Sequence, residues 1–328
     1  MRPEPGVSAT LMEAETVVQA GGPLAPRATR SGVRARKLLP AAVGPYQVLD
    51  LLGEGAMGRV YRARDPRDGR QVAVKVIKEP FCHDENAMKR FVREAEAVSR
   101  LCHPGLVAVH DTGDSYIVLE LVEGESLEAH FAARGALPPA EAVAILRGMA
   151  DVLDHIHARG VVHRDVKPSN VLVPASGGVK LTDFGVAHLA WAPMTRTGEL
   201  LGSPAYMAPE QITLGDVEPA SDLHALGVVA FEALVGRRPF EGGSLAELLL
   251  KVTEAEPPSA HEANPSLPPA VDAVFRRALA KVPDERFATA RAFVEALAQA
   301  LGPPERRASR PRLAAWLPTA LALVLPRV

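Results

Sequence analysis

Residues 163–170 read His-Arg-Asp-Val-Lys-Pro-Ser-Asn, which puts a candidate catalytic base, a phosphate-binding cation and a metal ligand into one short loop. Asp165 is the carboxylate that could accept a proton, Lys167 the cation and Asn170 the amide oxygen donor. Thirteen residues past Asn170, Asp183-Phe184-Gly185 adds a second carboxylate. Hard oxygen donors of this kind suit magnesium, which usually takes only a few ligands from protein. Upstream, Gly53, Glu54, Gly55, Ala56, Met57, Gly58, Arg59 and Val60 fit the pattern G-x-G-x-x-G-x-V. Glycines there let the backbone approach phosphate oxygens and adopt conformations that a Cβ forbids. Dinucleotide folds and ordinary turns share the pattern, but a dinucleotide site wants a helix directly after the glycines, and here a strand follows. Lys75 lies in the apolar stretch 72–75, where an isolated ammonium is costly and needs a carboxylate partner. Glu94 is the partner expected, with Glu96 a solvated competitor.

The elements that must hold these groups are legible from periodicity. Residues 46–52 alternate as a strand, 60–64 resume it before the hairpin signal Asp68-Gly69, and 72–77 read as a third strand. From 84 to 101 the apolar positions Met88, Phe91, Ala95, Val98 and Leu101 recur at helical steps. Residues 115–122 supply further strand, with the backbone of 120–122 as a hinge. Past Gly124 the pattern turns mostly helical. A helix from Pro138-Pro139 carries Val143, Leu146, Met149, Leu153 and Ile156 on one face and stops at Gly160. The stretch 223–235 is apolar nearly all round, which predicts a fully buried helix too short to cross a bilayer of about 30 Å. Strands first and helices afterwards predict an α+β arrangement of two lobes.

The glycine segment, Lys75, Glu94, the octapeptide and Asp183-Phe184-Gly185, in that order, resemble the eukaryotic-like protein kinases. The wording Thr-Asp-Phe-Gly-Val-Ala at 182–187 and Ala-Tyr-Met-Ala-Pro-Glu-Gln at 205–211 is similar to the bacterial Hanks-type serine/threonine branch. The resemblance covers about residues 46–302. It implies a bilobal protein-kinase-like fold, with a small β-rich N-lobe at about 44–122 and a larger helical C-lobe at about 123–302. A disordered leader at 1–43 and a basic, apolar tail at 303–328 would flank it. By the same resemblance ATP and magnesium, or manganese, are the cofactors. Leu52, the glycine segment, Glu120 and Val122 would surround the nucleotide. Lys75, held by Glu94, would contact the α- and β-phosphates, and Asn170 and Asp183 would hold the metal. Asp165 would accept the substrate hydroxyl proton and Lys167 would neutralise the transferred group. Asp222 resembles the anchor of the catalytic loop, and Arg286 the partner of Glu210. Arg164 sets a cation beside Asp165 that a phosphate would neutralise, so Thr195 and Thr197 are candidate autophosphorylation sites. Ser203 stands where relatives more often carry Thr.

The activity so implied is transfer of the ATP γ-phosphoryl group to Ser/Thr hydroxyls of proteins. The rival is a nucleotide-binding pseudokinase scaffold, but Lys75, Glu94, Asp165, Asn170 and Asp183, any of which such chains commonly lack, are all present. A small-molecule phosphotransferase is disfavoured by Ala208-Pro209-Glu210 and the residues around Ser203.

Charge narrows the partners. The net charge is −2, yet residues 1–43 hold six basic and three acidic side chains and residues 303–328 five and one, which leaves −9 for the body. An acidic body argues against a dedicated nucleic-acid binder. Cys82 and Cys102 are too few for a disulfide framework and suit a reducing cytosol. Each precedes a His, but without the short spacing that presets zinc ligands. No secretory signal is read at 1–43, and a cytoplasmic location is expected. Arg306, Arg307, Arg310 and Arg312 precede an apolar run at 313–325, interrupted by Pro318 and shorter than the roughly 17–25 residues of a span. An interfacial anchor through 306–325 is the membrane contact such a tail could make, and a dimer would serve autophosphorylation in trans.

Overall fold

The computed structural model describes residues 39–55, 58–78, 99–184, 204–213 and 217–303. The leader up to residue 38, most of the helix expected at 84–101, and the tail from 304 lie outside the described residues.

The first lobe is an antiparallel sheet of strands β1 (Ala42–Val43), β2 (Tyr46–Glu54), β3 (Gly58–Arg64), β4 (Gln71–Ile77), β5 (Val109–Gly113) and β6 (Tyr116–Glu120), ordered β1-β2-β3-β4-β6-β5. Its core is Tyr46, Ala63, Val72, Val74 and Val118, all fully buried. β1 is a correction to the leader boundary: Val43 pairs with Tyr46, so paired structure starts before residue 44. The β3–β4 hairpin forms where Asp68-Gly69 signals it, but its loop is wider than a two-residue turn. Asp65 N–H donates to Arg70 O, and Gly69, at φ 75°, donates to Asp65 O. The buried Asp65 carboxylate takes Arg67 Nε at 2.9 Å and Nη2 at 2.7 Å. Arg67 also reaches Tyr46 OH at 2.8 Å, which donates to Asp111 at 2.6 Å. This cluster ties the loop to β5, a strand that periodicity did not predict. With the sequence Val-His-Asp-Thr-Gly and every residue half-buried, β5 is made a strand by pairing with β6 rather than by its own pattern.

The second lobe opens with β7 (Gly124–Ser126) and α1 (Leu127–Arg134), whose cap is the Ser126 hydroxyl accepting from Ala129 N–H. α2 (Pro139–His157) has proline at its first position, where a missing N–H costs nothing, and buries Val143, Leu146, Met149, Leu153 and Ile156 as expected. Two short strands, β8 (Val171–Pro174) and β9 (Lys180–Leu181), complete a three-stranded sheet with β7. The second half is mostly helical as expected, and these added strands, two to four residues long, are too short to show alternation.

After α3 (Pro209–Thr213), the central helix is α4 (Pro219–Val235). It starts four residues before the apolar run, because Pro219 occupies the first turn and Glu218 and Ser221 exchange hydrogen bonds as a capping box. Gly236, at φ 82°, ends it in the left-handed conformation that glycine adopts freely. α5 (Leu245–Glu254), α6 (Ala260–Ala263), α7 (Val271–Ala278) and α8 (Ala290–Leu301) follow in the same lobe. Asp154 of α2 caps α8 by accepting from Ala290 and Arg291 N–H, at 2.8 and 3.1 Å. No helix among the described residues is long and apolar enough to cross a membrane.

His224 of α4 is fully buried, and neither ring nitrogen has a hydrogen-bond partner. Burial first, then the nearby Arg286 and Lys281, hold its pKa well below the ordinary histidine value. The unfolded chain therefore binds this proton more readily. The stability contribution of His224 is complete above about pH 6.5 and is lost as pH falls below it toward the folded-state pKa. His224→Phe is expected to remove about a tenfold acid weakening of the folding equilibrium between pH 7.5 and 5.5. Urea unfolding of both proteins at the two pH values measures this, and equal pH dependence would contradict it.

Candidate active site

The glycine segment is the turn between β2 and β3; Ala56 and Met57 lie outside the described residues. Among the described residues a Cβ on Gly53 or Gly55 would meet nothing within 4 Å, so packing against them does not demand glycine at either position. Gly58 differs: its Cβ would lie 2.6 Å from Val76 O, and close packing on β4 requires glycine there. Gly55 N–H donates to Gly58 O at 2.9 Å, closing the turn. Lys78 braces it, with Nζ 2.6 Å from Gly55 O and 2.9 Å from Glu54, whose carboxylate also meets Arg59 at 3.3 Å. Leu52 leaves 43% of its surface exposed beside the turn. Val60 lies opposite Lys75 in the β3–β4 register, so strand pairing sets the distance from turn to lysine.

Among the described residues, the carboxylate that Lys75 meets is Asp183: Nζ lies 2.7 Å from Asp183 Oδ1. Glu94, the partner expected from sequence, lies outside the described residues. The pair joins a strand of the first lobe to the segment that leaves β9 in the second.

The octapeptide loop hangs from α4. Asp222 Oδ2 accepts from His163 N–H and Oδ1 from Arg164 N–H, each at 2.8 Å, and His157 Nε2 lies 2.8 Å from Oδ2. His163 is wholly buried, stacks on Phe184 with ring centroids 4.7 Å apart, and lies 3.2 Å through Nε2 from Thr182 O. Burial lowers its pKa. Arg164 and Asp183 are the two non-glycine residues described with left-handed backbones, at φ 70° and 56°, a conformation that clusters where geometry is functionally constrained.

Between those two residues the candidate groups converge. Asp165 Oδ2 takes Lys167 Nζ at 2.7 Å and Asn170 Nδ2 at 2.8 Å. Asn170 Nδ2 also reaches Asp165 O at 2.8 Å and Asp183 O at 3.5 Å. The single turn Pro168–Asn170 brings the asparagine back beneath the aspartate. The result is a proton acceptor, two cations and two oxygen donors of hard-metal type within one linked set. One carboxylate and one amide oxygen fit a divalent ion that completes its shell with phosphate and water.

At the expected hinge the Glu120 side chain is held away by its own partners. Glu120 N–H donates to Ala108 O at 2.8 Å, and its carboxylate takes Lys180 Nζ at 2.7 Å and Ala108 N–H at 3.2 Å. Its side chain is thus committed to the strand leading to Asp183, and only backbone remains to meet a ligand. Val122 is half-buried beside it. Sequence reading missed the Glu120–Lys180 pair, 60 residues apart, for which no spacing rule exists.

Farther out, Arg286 and Glu210 form a buried bidentate pair at 2.8 and 2.7 Å. Ser221 donates to Glu210 at 2.7 Å, and Tyr206 OH to Glu232 at 2.6 Å. Among the described residues the Arg164 guanidinium has no ion-pair partner. Thr195, Thr197 and Ser203 lie outside the described residues.

The profile of the family described as protein kinase domain matches residues 46–298. The chain is 42% identical over 252 residues to the serine/threonine-protein kinase PrkC of Bacillus subtilis, covering 75% of this chain and 39% of that protein. It is 41% identical over 266 residues to PknA of Mycobacterium tuberculosis, covering 78% and 61%. The chain therefore spans less than two thirds of the length of these relatives. Among solved structures, the M. tuberculosis PknI kinase domain superposes with a TM-score of 0.67 at 32% identity, covering 81% of this chain and all of that one. Rad53 1-466 in complex with AMP-PNP superposes with a TM-score of 0.64 at 27% identity, covering 77% and 65%.

Proposed function

The chain belongs to the protein kinase domain family, and on that premise we propose that it transfers the γ-phosphoryl group of ATP to serine or threonine hydroxyls of protein substrates. The observation that carries this reading is the linked set Lys75–Asp183 and Asp165–Lys167–Asn170 at one cleft. Asp165 accepts the hydroxyl proton, Lys167 offsets charge on the transferred group, and Lys75 holds the inner phosphates. Asp183 and Asn170 would hold magnesium, which would neutralise charge on the phosphates. The backbone of 120–122 and the open faces of Gly53 and Gly55 receive the nucleotide, with Leu52 above it. A pseudokinase scaffold is disfavoured, since each of its commonly missing groups that lies among the described residues is present. The names of PrkC and PknA, serine/threonine-protein kinases, support the choice of acceptor.

The test is transfer of labelled phosphate from ATP with magnesium to the protein itself and to a generic basic protein, beside Asp165→Asn and Lys75→Met. Incorporation on serine or threonine that both substitutions abolish supports the reading; ATP binding without incorporation under any divalent ion rejects it for the scaffold.

Thr195 and Thr197 complete the proposal as activating sites. A phosphate on either brings about −1.5 to −2 of charge to Arg164. Changing both to Ala is expected to lower activity about tenfold or more, to that of phosphatase-treated wild type. Full activity in the double variant would remove them from the reading. Autophosphorylation in trans by a second copy and an interfacial contact of the tail at 306–325 with an anionic membrane surface belong to the same reading.

A further inference from the structure

We propose that Gln211 is a positioning residue that holds the peptide leading into Asp165; the inference rests on the phosphotransfer reading above. Gln211 is the third residue of α3, and Ala208, fully buried, immediately precedes that helix. Gln211 Oε1 accepts from Ala208 N–H at 2.8 Å, while Gln211 N–H donates to Ala208 O at 3.1 Å. This is the share of a capping box that a Gln or Glu at the third position supplies, and it uses only the side-chain oxygen. A glutamate would serve as well.

The amide nitrogen is therefore unexplained by capping. It donates to Arg164 O at 3.3 Å. That carbonyl belongs to the peptide joining left-handed Arg164 to Asp165. On its other side Arg164 is held through its N–H by Asp222. The backbone entering the proton acceptor is thus gripped from α4 on one side and from α3 on the other. The position of α3 is itself set by the buried Glu210–Arg286 pair one residue before Gln211. Rotation of the 164–165 peptide would re-aim Asp165, whose Oδ2 already meets Lys167 and Asn170. Gln211 opposes that rotation. Its loss misaligns the acceptor of the proton without touching any group assigned to the nucleotide.

Gln211→Glu is the discriminating change, because it keeps the cap oxygen and puts a charged acceptor where the donor to Arg164 O stood. The expected result is a three- to tenfold fall in kcat for phosphorylation of a basic protein substrate, with KM for ATP and the thermal midpoint unchanged. Gln211→Ala, which also removes the cap, is expected to lower both kcat and the midpoint. Wild-type kcat in Gln211→Glu, or a fall in kcat only in step with the midpoint, overturns the proposal. Should the wild-type chain transfer no phosphate, the phosphotransfer reading fails by itself. The tether is then judged by amide hydrogen exchange over 163–167: faster exchange in Gln211→Glu supports it, and unchanged exchange overturns it.

Discussion

Asp165→Asn is expected to lower the turnover of serine/threonine phosphorylation by about 10²–10⁴-fold, the range over which a positioned general base acts. Asparagine is nearly the same size and keeps an oxygen for Lys167 Nζ and Asn170 Nδ2, which lie 2.7 and 2.8 Å from the carboxylate. The change therefore removes proton affinity while sparing the packing. ATP binding, followed by displacement of a fluorescent nucleotide, is expected to stay within about twofold, since Asp165 is not among the groups assigned to nucleotide or metal. A residual turnover above about a tenth of wild type would mean that the proton leaves by another route.

Arg286→Ala is expected to have the largest effect on stability. The guanidinium is fully buried and donates to both Glu210 oxygens, at 2.8 and 2.7 Å, and to the carbonyls of Ala280, Ala220 and Lys281. Deleting it leaves, among the described residues, a buried carboxylate with only Ser221 and its own backbone N–H as donors. Breaking a buried pair in this way costs about 3–5 kcal/mol, against roughly 5–15 kcal/mol for a whole domain. A fall in thermal midpoint of roughly 10 °C is expected. The pH response should also change sign. In the intact protein burial pushes the Glu210 pKa up, but the hydrogen bonds from Arg286 and Ser221 outweigh it and hold the group below the ordinary carboxylate value. That contribution is present above the unfolded carboxylate range and lost as pH falls through the folded pKa. Without Arg286 burial dominates, the pKa rises, and the contribution of this group is lost as pH rises instead. Adding Glu210→Gln to the variant should recover part of the loss; no recovery in urea unfolding at pH 7 would count against an unpaired charge as the cause.

The elements legible in the sequence are those whose physics is local. Proline at 139 and a regular stripe from Val143 to Ile156 specify α2, and the Asp68-Gly69 signal specifies a hairpin though not its loop length. β5, with one valine in five residues, owes its strand to β6 and could not be read alone. The site residues were legible by order of motif, but not their pairings. Lys75 meets a carboxylate more than a hundred residues away, and Glu120 turns to Lys180; such contacts depend on two lobes having already folded. Gln211 was visible as a letter in a motif, and nothing in its spacing announces that its amide nitrogen faces Arg164.

The bond between Glu120 and Lys180 also makes the end of β6 a fulcrum. Val72 lies opposite Glu120 in the sheet, Lys75 three residues farther along β4, and Ile77, opposite Gly58, five. At about 3.3 Å per residue these are lever arms of roughly 10 and 17 Å. A tilt of about 5° would carry Lys75 by about 0.9 Å and the glycine turn by about 1.5 Å. The same small rotation would therefore displace the glycine turn at the rim of the cleft further than the lysine.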